Sequence, residues 1–332
     1  MSGSGFAIRD NALMKETPTS TTPAAWHVLG GGAMGCLWAC SLATAGHPAR
    51  LLLRQPPACA TDSDITLSPR PTDGLHKQSL QIPVRIEGAG DATPITRLLA
   101  CTKAPDLLPA LADLAPRVVD GAAVVLLQNG MGFHAEAAAL LPRARIFCAL
   151  TTEGAYLQSR LSVRHAGSGE TLLGAFPGGA DGGAAQLAAE LGCGFLPVRP
   201  VENILPSLWA KLAINCAINP LTALHGCTNG ELLERPGLRS EFDALCTEIS
   251  GLLAGLGHPL LASAVAADAV RVARATAANR SSMLQDLEAG RRTEIRYITG
   301  FLCQNAKAAG LPCPRNDALF RAVRQREHSG QP

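Results

Sequence analysis

The sequence predicts an α/β chain in two parts, a doubly wound sheet followed by an all-helical domain. Three observations carry this expectation. Apolar runs of strand length alternate with helical patterns as far as residue 201. The first strand runs into Gly30-Gly31-Gly32 and then a helix, with Gly30, Gly32 and Gly35 spaced as G-x-G-x-x-G. From Ile204 onward every long segment repeats with helical period. The expected organisation is a poorly ordered extension over 1–25, a Rossmann-type dinucleotide-binding domain over 26–201 and a helical domain over 202–332.

Taken in order, Trp26 to Leu29 reads as a strand and Ala33 to Ala45 as a helix that Gly46-His47-Pro48 ends. Arg50 to Leu53 reads as a buried strand, completing a β-α-β unit. Residues 55–94 are rich in Pro, Asp, Ser and Gly around one strand pair, near Asp64–Leu67 and Leu80–Ile86, and are expected to leave the sheet. Strands follow at Leu98–Thr102, Ala122–Leu127 and Arg145–Thr151, with helices at Asp106–Leu114 and Phe133–Leu141 between them. Weaker strands at Leu161–His165 and Thr171–Leu173, a helix at Ala184–Leu191 and a strand at Phe195–Val201 close the series. Residues 1–25 contain Arg9, Asp10, Lys15 and Glu16 among Ser, Thr, Gly and Pro, with no apolar core of a secretory signal.

Composition narrows the function. The chain has 332 residues, 47% of them apolar, and a net charge of +2 without a dense Lys/Arg run, so it lacks the electrostatic footprint of a nucleic-acid binder. Every apolar segment is interrupted by Arg, Lys, Asn or Pro before it reaches membrane-spanning length. The 11 cysteines are odd in number and include no C-x-x-C, which reads as buried free thiols in a reducing cytoplasm rather than a disulfide framework. No metal site is expected. His27 falls in the first strand and His47, His225 and His258 beside turns, without a partner pattern for Ser/His/Asp chemistry.

In the glycine motif the first glycine permits a tight turn, the second lets backbone approach a pyrophosphate, and the third lets helix pack on strand. The helix start faces the phosphates with unpaired N–H groups and the positive end of its dipole. Where NAD sites place an acid for the ribose hydroxyls stands Arg54, with no acid before Asp62. A guanidinium favours a 2′-phosphate, and so NADP(H). Lys103, past another strand end, either adds charge at the same crevice or is a solvated loop lysine. Asn129, in Gln128-Asn129-Gly130-Met131-Gly132, is placed to contact nicotinamide or ribose, although Asn-Gly is also an ordinary turn.

In the run Leu205–Leu224 the only cation and the two amides, Lys211, Asn215 and Asn219, stand at i, i+4 and i+8, within roughly 80° of one another on a helix. Trp209, Leu212, Ala213, Ile214, Cys216, Ala217 and Ile218 make the rest apolar almost all round, so the helix belongs inside the protein. An ammonium and two amides there need either a polar cavity or matched partners. Asn219-Pro220 frees a carbonyl or kinks the axis.

These segments together resemble the 2-dehydropantoate 2-reductases (ketopantoate reductases), NADPH enzymes of the pantothenate and coenzyme A pathway. The resemblance runs from about Trp26 to Phe320. It is carried by GGGAMG at 30–35, LLQNGMG at 126–132, WAKLAINCAINPLTAL at 209–224, CTNGEL at 227–232, SSMLQD at 281–286 and RTEIRYITG at 292–300. It implies that Gly30, Gly31, Gly32, Ala33, Met34 and Gly35 hold the pyrophosphate, and that Arg54 and Lys103 hold the adenosine phosphate. By the same resemblance Asn129 and Ala155 would contact the cofactor nearer the nicotinamide, and Glu294 its ribose side. Lys211 would be the proton donor, with Asn129, Asn215, Asn219, Asn229, Ser282, Met283, Leu284 and Gln285 binding substrate. Two positions depart from the family pattern: Arg296 where an aspartate is common, and Thr299 where an asparagine is. Two residues apart on a helix means different faces, so Arg296 should not displace Glu294.

The implied reaction is NADPH-dependent reduction of ketopantoate to pantoate. Lys211 would polarise the keto oxygen and protonate it as hydride arrives. Burial would push the lysine pKa down, while the substrate anion and Glu294 push it up. Ser282 would donate to the carboxylate, although Ser281 or Ser282 with Gln285 or Glu288 also reads as a helix start. Two alternatives stay open: a reductase of another branched 2-keto acid, or an NADP-binding sensor without turnover. The expected partner is a small-molecule 2-keto acid, and the expected state a monomer or homodimer in the cytoplasm.

Overall fold

A computed structural model of the chain describes residues 24–56, 59–70, 78–176 and 183–329. The expected amino-terminal extension, apart from Ala24 and Ala25, lies outside the described residues. In chain order the first part contains β1 (Trp26–Leu29), α1 (Ala33–Thr44), β2 (Ala49–Leu52), β3 (Thr61–Ser68), β4 (Leu80–Glu87), β5 (Ile95–Ala100), α2 (Ala104–Leu114), β6 (Val118–Leu126), α3 (His134–Leu140) and β7 (Arg145–Thr151). It continues with β8 (Gly154–Ser159), β9 (Ser162–Gly167), β10 (Thr171–Ala175), α4 (Gly183–Leu191) and β11 (Val198–Pro200). The second part is helical: α5 (Leu205–His225), α6 (Glu231–Glu234), α7 (Pro236–Gly255), α8 (Pro259–Ala275), α9 (Ser282–Glu288), α10 (Thr299–Ala308) and α11 (Pro314–Ser329).

The described strands form one sheet in the order β11-β10-β7-β6-β5-β1-β2-β4-β3-β9-β8. Its centre, β7-β6-β5-β1-β2-β4, is parallel throughout. Side chains alternate between the two faces at period two. Val28, Leu51, Leu99, Val125 and Phe147 pack with α1 and α4 on one side. Their neighbours Leu29, Leu52, Leu98, Val124 and Ile146 pack with α2 and α3 on the other. The chain leaves β1 for β2 in one direction and reaches β5 in the other. The strand order therefore switches at β1/β5, which opens a crevice at the carboxyl ends of those strands.

The segment 55–94 differs from expectation. Its strands stay in the sheet, β4 pairing parallel with β2 and β3 antiparallel with β4. Pro83 is accommodated within β4, and Asp62 and Asp64 of β3 face solvent, so these residues do not break the ladder. The hairpin β8–β9, of which only the second strand is legible in the sequence, adds to the same edge through β9 and β3. Helix α1 packs against β1, β2, β4, β3, β9 and β8. Six strands span about 24 Å, whereas a helix is about 10 Å across, so the sheet curls around α1. That enclosure explains why Cys36 to Leu42 is buried without a polar face.

Helix α5 is the axis of the second part and packs against every helix from α6 to α11. It continues through Pro220, which by lacking an N–H frees the carbonyl of Cys216, and it ends at Gly226 with φ of 61°. Met131, Cys148 and Leu150 from the sheet side join this helical core, so the two parts share apolar contact. Among the described residues no helix is long and apolar enough to cross a membrane, and no three His, Cys, Asp or Glu side chains gather as a metal site. All cysteines are free. Six of them are buried, while Cys59 and Cys193 are exposed.

Candidate active site

The glycine turn follows β1 and opens α1. Gly30 has φ of +108° and sits against Thr102 at the end of β5, which a side chain there would strike. A Cβ on Gly35 would overlap the Gly30 carbonyl, so this glycine lets the helix close onto the turn. Gly32 is the extended N-cap of α1, and a Cβ there meets nothing within 4 Å. Open space therefore lies over the free N–H groups of the helix start, which fits a bound pyrophosphate.

A cleft of about 1070 Å³ runs from this turn between the two parts of the chain. From the sheet part its walls include Gly30 to Met34, Arg54, Lys103, Asn129 and Ala155; from the helical part they include Ser282, Gln285 and Glu294. The expected cofactor residues are thus brought together, Gly35 alone standing beneath the turn. On α9, Ser282 and Gln285 face the cleft, whereas Met283 and Leu284 point the other way into the helical core. Those two side chains do not line the cleft. Ser281, not Ser282, is the helix cap: its Oγ accepts from the N–H of Leu284 at 3.1 Å and lies 2.7 Å from the Thr222 hydroxyl. Ser282 is left free for a ligand.

Glu294 is buried where the two parts meet. One carboxylate oxygen accepts from the N–H of Ala104, the first residue of α2, and the other from Nδ2 of Asn129, both at 3.1 Å. Burial raises its pKa, while Lys103, the Ala104 N–H and the Asn129 amide draw it back. The Asn129 loop is itself docked on the helical part, the N–H of Met131 donating to the Tyr297 carbonyl at 2.7 Å. Residues 294–298 form a turn, not the expected helix, and α10 begins at Thr299. The turn still separates buried Glu294 from exposed Arg296.

Lys211 reaches from α5 to the carboxyl end of β7, where Nζ donates to the Thr151 carbonyl at 2.7 Å. Burial pushes its pKa down to about 8, with the Glu294 carboxylate acting in the opposite direction. Thr151 is held firmly: its Oγ1 accepts from the N–H of Glu153 at 3.1 Å and from the Thr171 hydroxyl at 2.8 Å. Glu153 in turn pairs with buried His165 at 2.7 Å, a partnership absent from the local sequence pattern. Two of the three N–H bonds of Lys211 remain for a ligand. Asn215 and Asn219 share its face of α5. Asn229 is fixed by Thr276 at 2.9 Å, with its Oδ1 buried and unpartnered. Lys211 and these three asparagines are not part of the cleft wall, which approaches the lysine through Glu294.

The sequence reading missed several cleft residues. Asp106 holds Arg54 at 2.6 Å, so the guanidinium is not alone. Asp286, one residue past the SSMLQ segment, forms an ion pair with Lys103, and Arg291 joins it at 3.1 Å. Tyr156 and Leu157, on the unpredicted strand β8, expose apolar surface to the cleft. The acidic end of SSMLQD and the charges of GRRTEI were the available signals; Arg291 lies five residues from Asp286, whereas Lys103 lies 183 residues away.

A curled, doubly wound dinucleotide-binding lobe, joined to a helical lobe that carries a half-buried lysine, defines a two-lobed nucleotide-binding protein. The family model described as ketopantoate reductase PanE/ApbA matches residues 26–178, and its C-terminal counterpart matches residues 203–327. The 2-dehydropantoate 2-reductase of Vibrio cholerae serotype O1 is 33% identical over 303 residues, covering 91% of this chain and 97% of that protein. The crystal structure of a PanE/ApbA family ketopantoate reductase from Ralstonia eutropha superposes with a TM-score of 0.78 at 27% identity, over 93% of this chain and all of that one. The ternary structure of D-mandelate dehydrogenase with NADH and anilino(oxo)acetate shares the fold, with a TM-score of 0.81 at 21% identity, over 92% and 99% of the two chains. The chain belongs to the ketopantoate reductase family.

Proposed function

We propose that this protein is an NADPH-dependent 2-dehydropantoate 2-reductase, with its lobes meeting near residue 202. The observation that carries this reading is the ammonium of Lys211. It is half-buried at the carboxyl end of a parallel strand, its pKa lowered to about 8, and it lies within the field of a carboxylate that lines the cleft. NADPH, when bound along the glycine turn, supplies the hydride.

The protein's own groups do the rest. Lys211 donates a hydrogen bond to the keto oxygen and then the proton that the developing alkoxide needs. A pKa near 8 keeps it largely protonated at neutral pH yet acidic enough to give the proton up. Asn215 and Asn219 orient the substrate oxygens beside it, and Asn229 offers its free Oδ1 to a substrate donor. Ser282 donates to the substrate carboxylate at the α9 wall. Asn129 and Glu294 fix the ribose side of the cofactor and link it to Lys211. Arg54 sits just past the end of β2, where no acid opposes a 2′-phosphate from the strand end itself, which supports NADP(H) over NAD(H). The enzyme is a cytoplasmic monomer or homodimer.

The test is NADPH consumption by the purified protein with ketopantoate beside a panel of other branched and aromatic 2-keto acids. Turnover fastest with ketopantoate is expected. A faster reaction with another branched 2-keto acid would reassign the substrate, and NADPH binding without oxidation of it across the panel would make the protein a sensor.

A further inference from the structure

Two carboxylates of the helical lobe reach the same end of one helix in the sheet lobe. Glu294 accepts from the Ala104 N–H, and Asp286 pairs with the ammonium of Lys103, the N-cap residue of α2. Asp286 is only 2% exposed, and its second oxygen accepts from Nε of Arg291 at 3.1 Å. One buried carboxylate is thereby shared between a lysine of one lobe and an arginine of the other.

The two cations are not consumed by this contact. The Lys103 side chain is 40% exposed and that of Arg291 58%, and both line the cleft that also holds the glycine turn and Arg54. Within the trio itself one carboxylate faces two cations, while Glu294 also acts on Lys103, so Arg291 is the member whose charge is least spoken for. Arg291 uses Nε for Asp286 and makes only a long 3.4 Å contact from Nη2 to the Gln285 carbonyl, which leaves most of its fork open. A bridge between lobes would need only Lys103 and Asp286. A second, half-exposed guanidinium anchored on the same carboxylate adds little stability, but it does add a bidentate donor for an anion.

We propose that Arg291 is a cofactor-phosphate ligand contributed by the helical lobe, and that Asp286 is the positioning residue that aims both Arg291 and Lys103 at the phosphate. This rests on the dinucleotide-binding reading of the cleft. The ligand chemistry is a phosphate oxyanion, from either the 2′-phosphate of the adenosine ribose or the pyrophosphate.

The test is the Kd of NADPH and of NADH for the wild type and for Arg291→Ala, Arg291→Lys and Asp286→Asn, at low and high salt. Arg292→Ala serves as the control, since Arg292 is exposed and lies outside the cleft wall. A wild type that binds neither nucleotide overturns the dinucleotide reading itself, independently of Arg291. With binding present, Arg291→Ala should weaken NADPH by about tenfold or more and flatten the salt dependence, while Arg291→Lys restores part of both. A loss confined to NADPH assigns the 2′-phosphate, and equal losses for both nucleotides assign the pyrophosphate. Arg291→Ala affinities within about twofold of wild type for both nucleotides would overturn the proposal. Asp286→Asn should raise the KM for NADPH with little change in kcat. A lower melting temperature with unchanged nucleotide affinity would reduce Asp286 to a structural bridge.

Discussion

Replacing Glu294 with glutamine removes the anion that raises the pKa of Lys211 while keeping nearly the same shape and an oxygen for the Ala104 N–H. The lysine falls from 10.5 to about 8 as the balance of burial against this carboxylate, a net bias on the order of 3 kcal/mol against the ammonium. A unit charge acting through a partly polar interior contributes on the order of 1–2 kcal/mol, or about one pH unit. Reduction requires protonated Lys211, so the wild-type rate should be level below about pH 8 and fall about tenfold per pH unit above it. In Glu294→Gln the midpoint of that fall should move to lower pH by about one unit. The assay is kcat/KM for ketopantoate at saturating NADPH across neutral and alkaline pH. A midpoint shared by both proteins, or a wild-type rate that climbs through the alkaline range, would refute the coupling of Glu294 to Lys211.

Other consequences are equally open to measurement. Unfolded Lys211 keeps its proton up to about 10.5 and the folded side chain only up to about 8, so the unfolded state binds more protons between those values and wild-type stability rises with pH there. Lys211→Met should lack that rise in urea titrations. At neutral pH it should be more stable by about 1–2 kcal/mol, the relief of burial exceeding the lost bond to Thr151. Gly32→Ala should fold with stability within about 0.5 kcal/mol of wild type and bind NADPH at least about tenfold more weakly, because its methyl group enters ligand space. Gly35→Ala should instead unfold at distinctly lower denaturant concentration, because its methyl group strikes the Gly30 carbonyl. Ser281→Ala should cost about 1–2 kcal/mol in stability through the lost cap, whereas Ser282→Ala should raise the KM for ketopantoate with the melting temperature unchanged.

How much of this was legible in the sequence follows from the range of each interaction. The β1–α1–β2 unit was readable because strand alternation, the glycine turn and the helix period are all local. The stripe Lys211, Asn215, Asn219 was readable because helical spacing fixes a face, and its burial followed from the apolar residues around it. Strand β8 was hidden, since Tyr156 to Ser159 are exposed and give no apolar alternation. The curl of the sheet around α1 was hidden as well: enclosure of Cys36 to Leu42 depends on a hairpin that starts more than a hundred residues later. The acceptor of Lys211 is a backbone carbonyl, which no residue type announces. Arg54 with Asp106, and Asp286 with Lys103, are charge pairings assembled by the topology at the crevice, whereas Asp286 with Arg291 is a local pair five residues apart. For α9 the sequence marked the whole Ser282–Gln285 segment, but one turn of helix necessarily splits it, sending Met283 and Leu284 inward and Ser282 and Gln285 to the cleft.

The role of Lys211 as proton donor is tested most directly by single-turnover hydride transfer from enzyme-bound NADPH to ketopantoate in Lys211→Ala. The expected result is NADPH affinity within about threefold of wild type together with a transfer rate reduced by about 10²-fold or more. A transfer rate equal to wild type, at full NADPH occupancy, would contradict it.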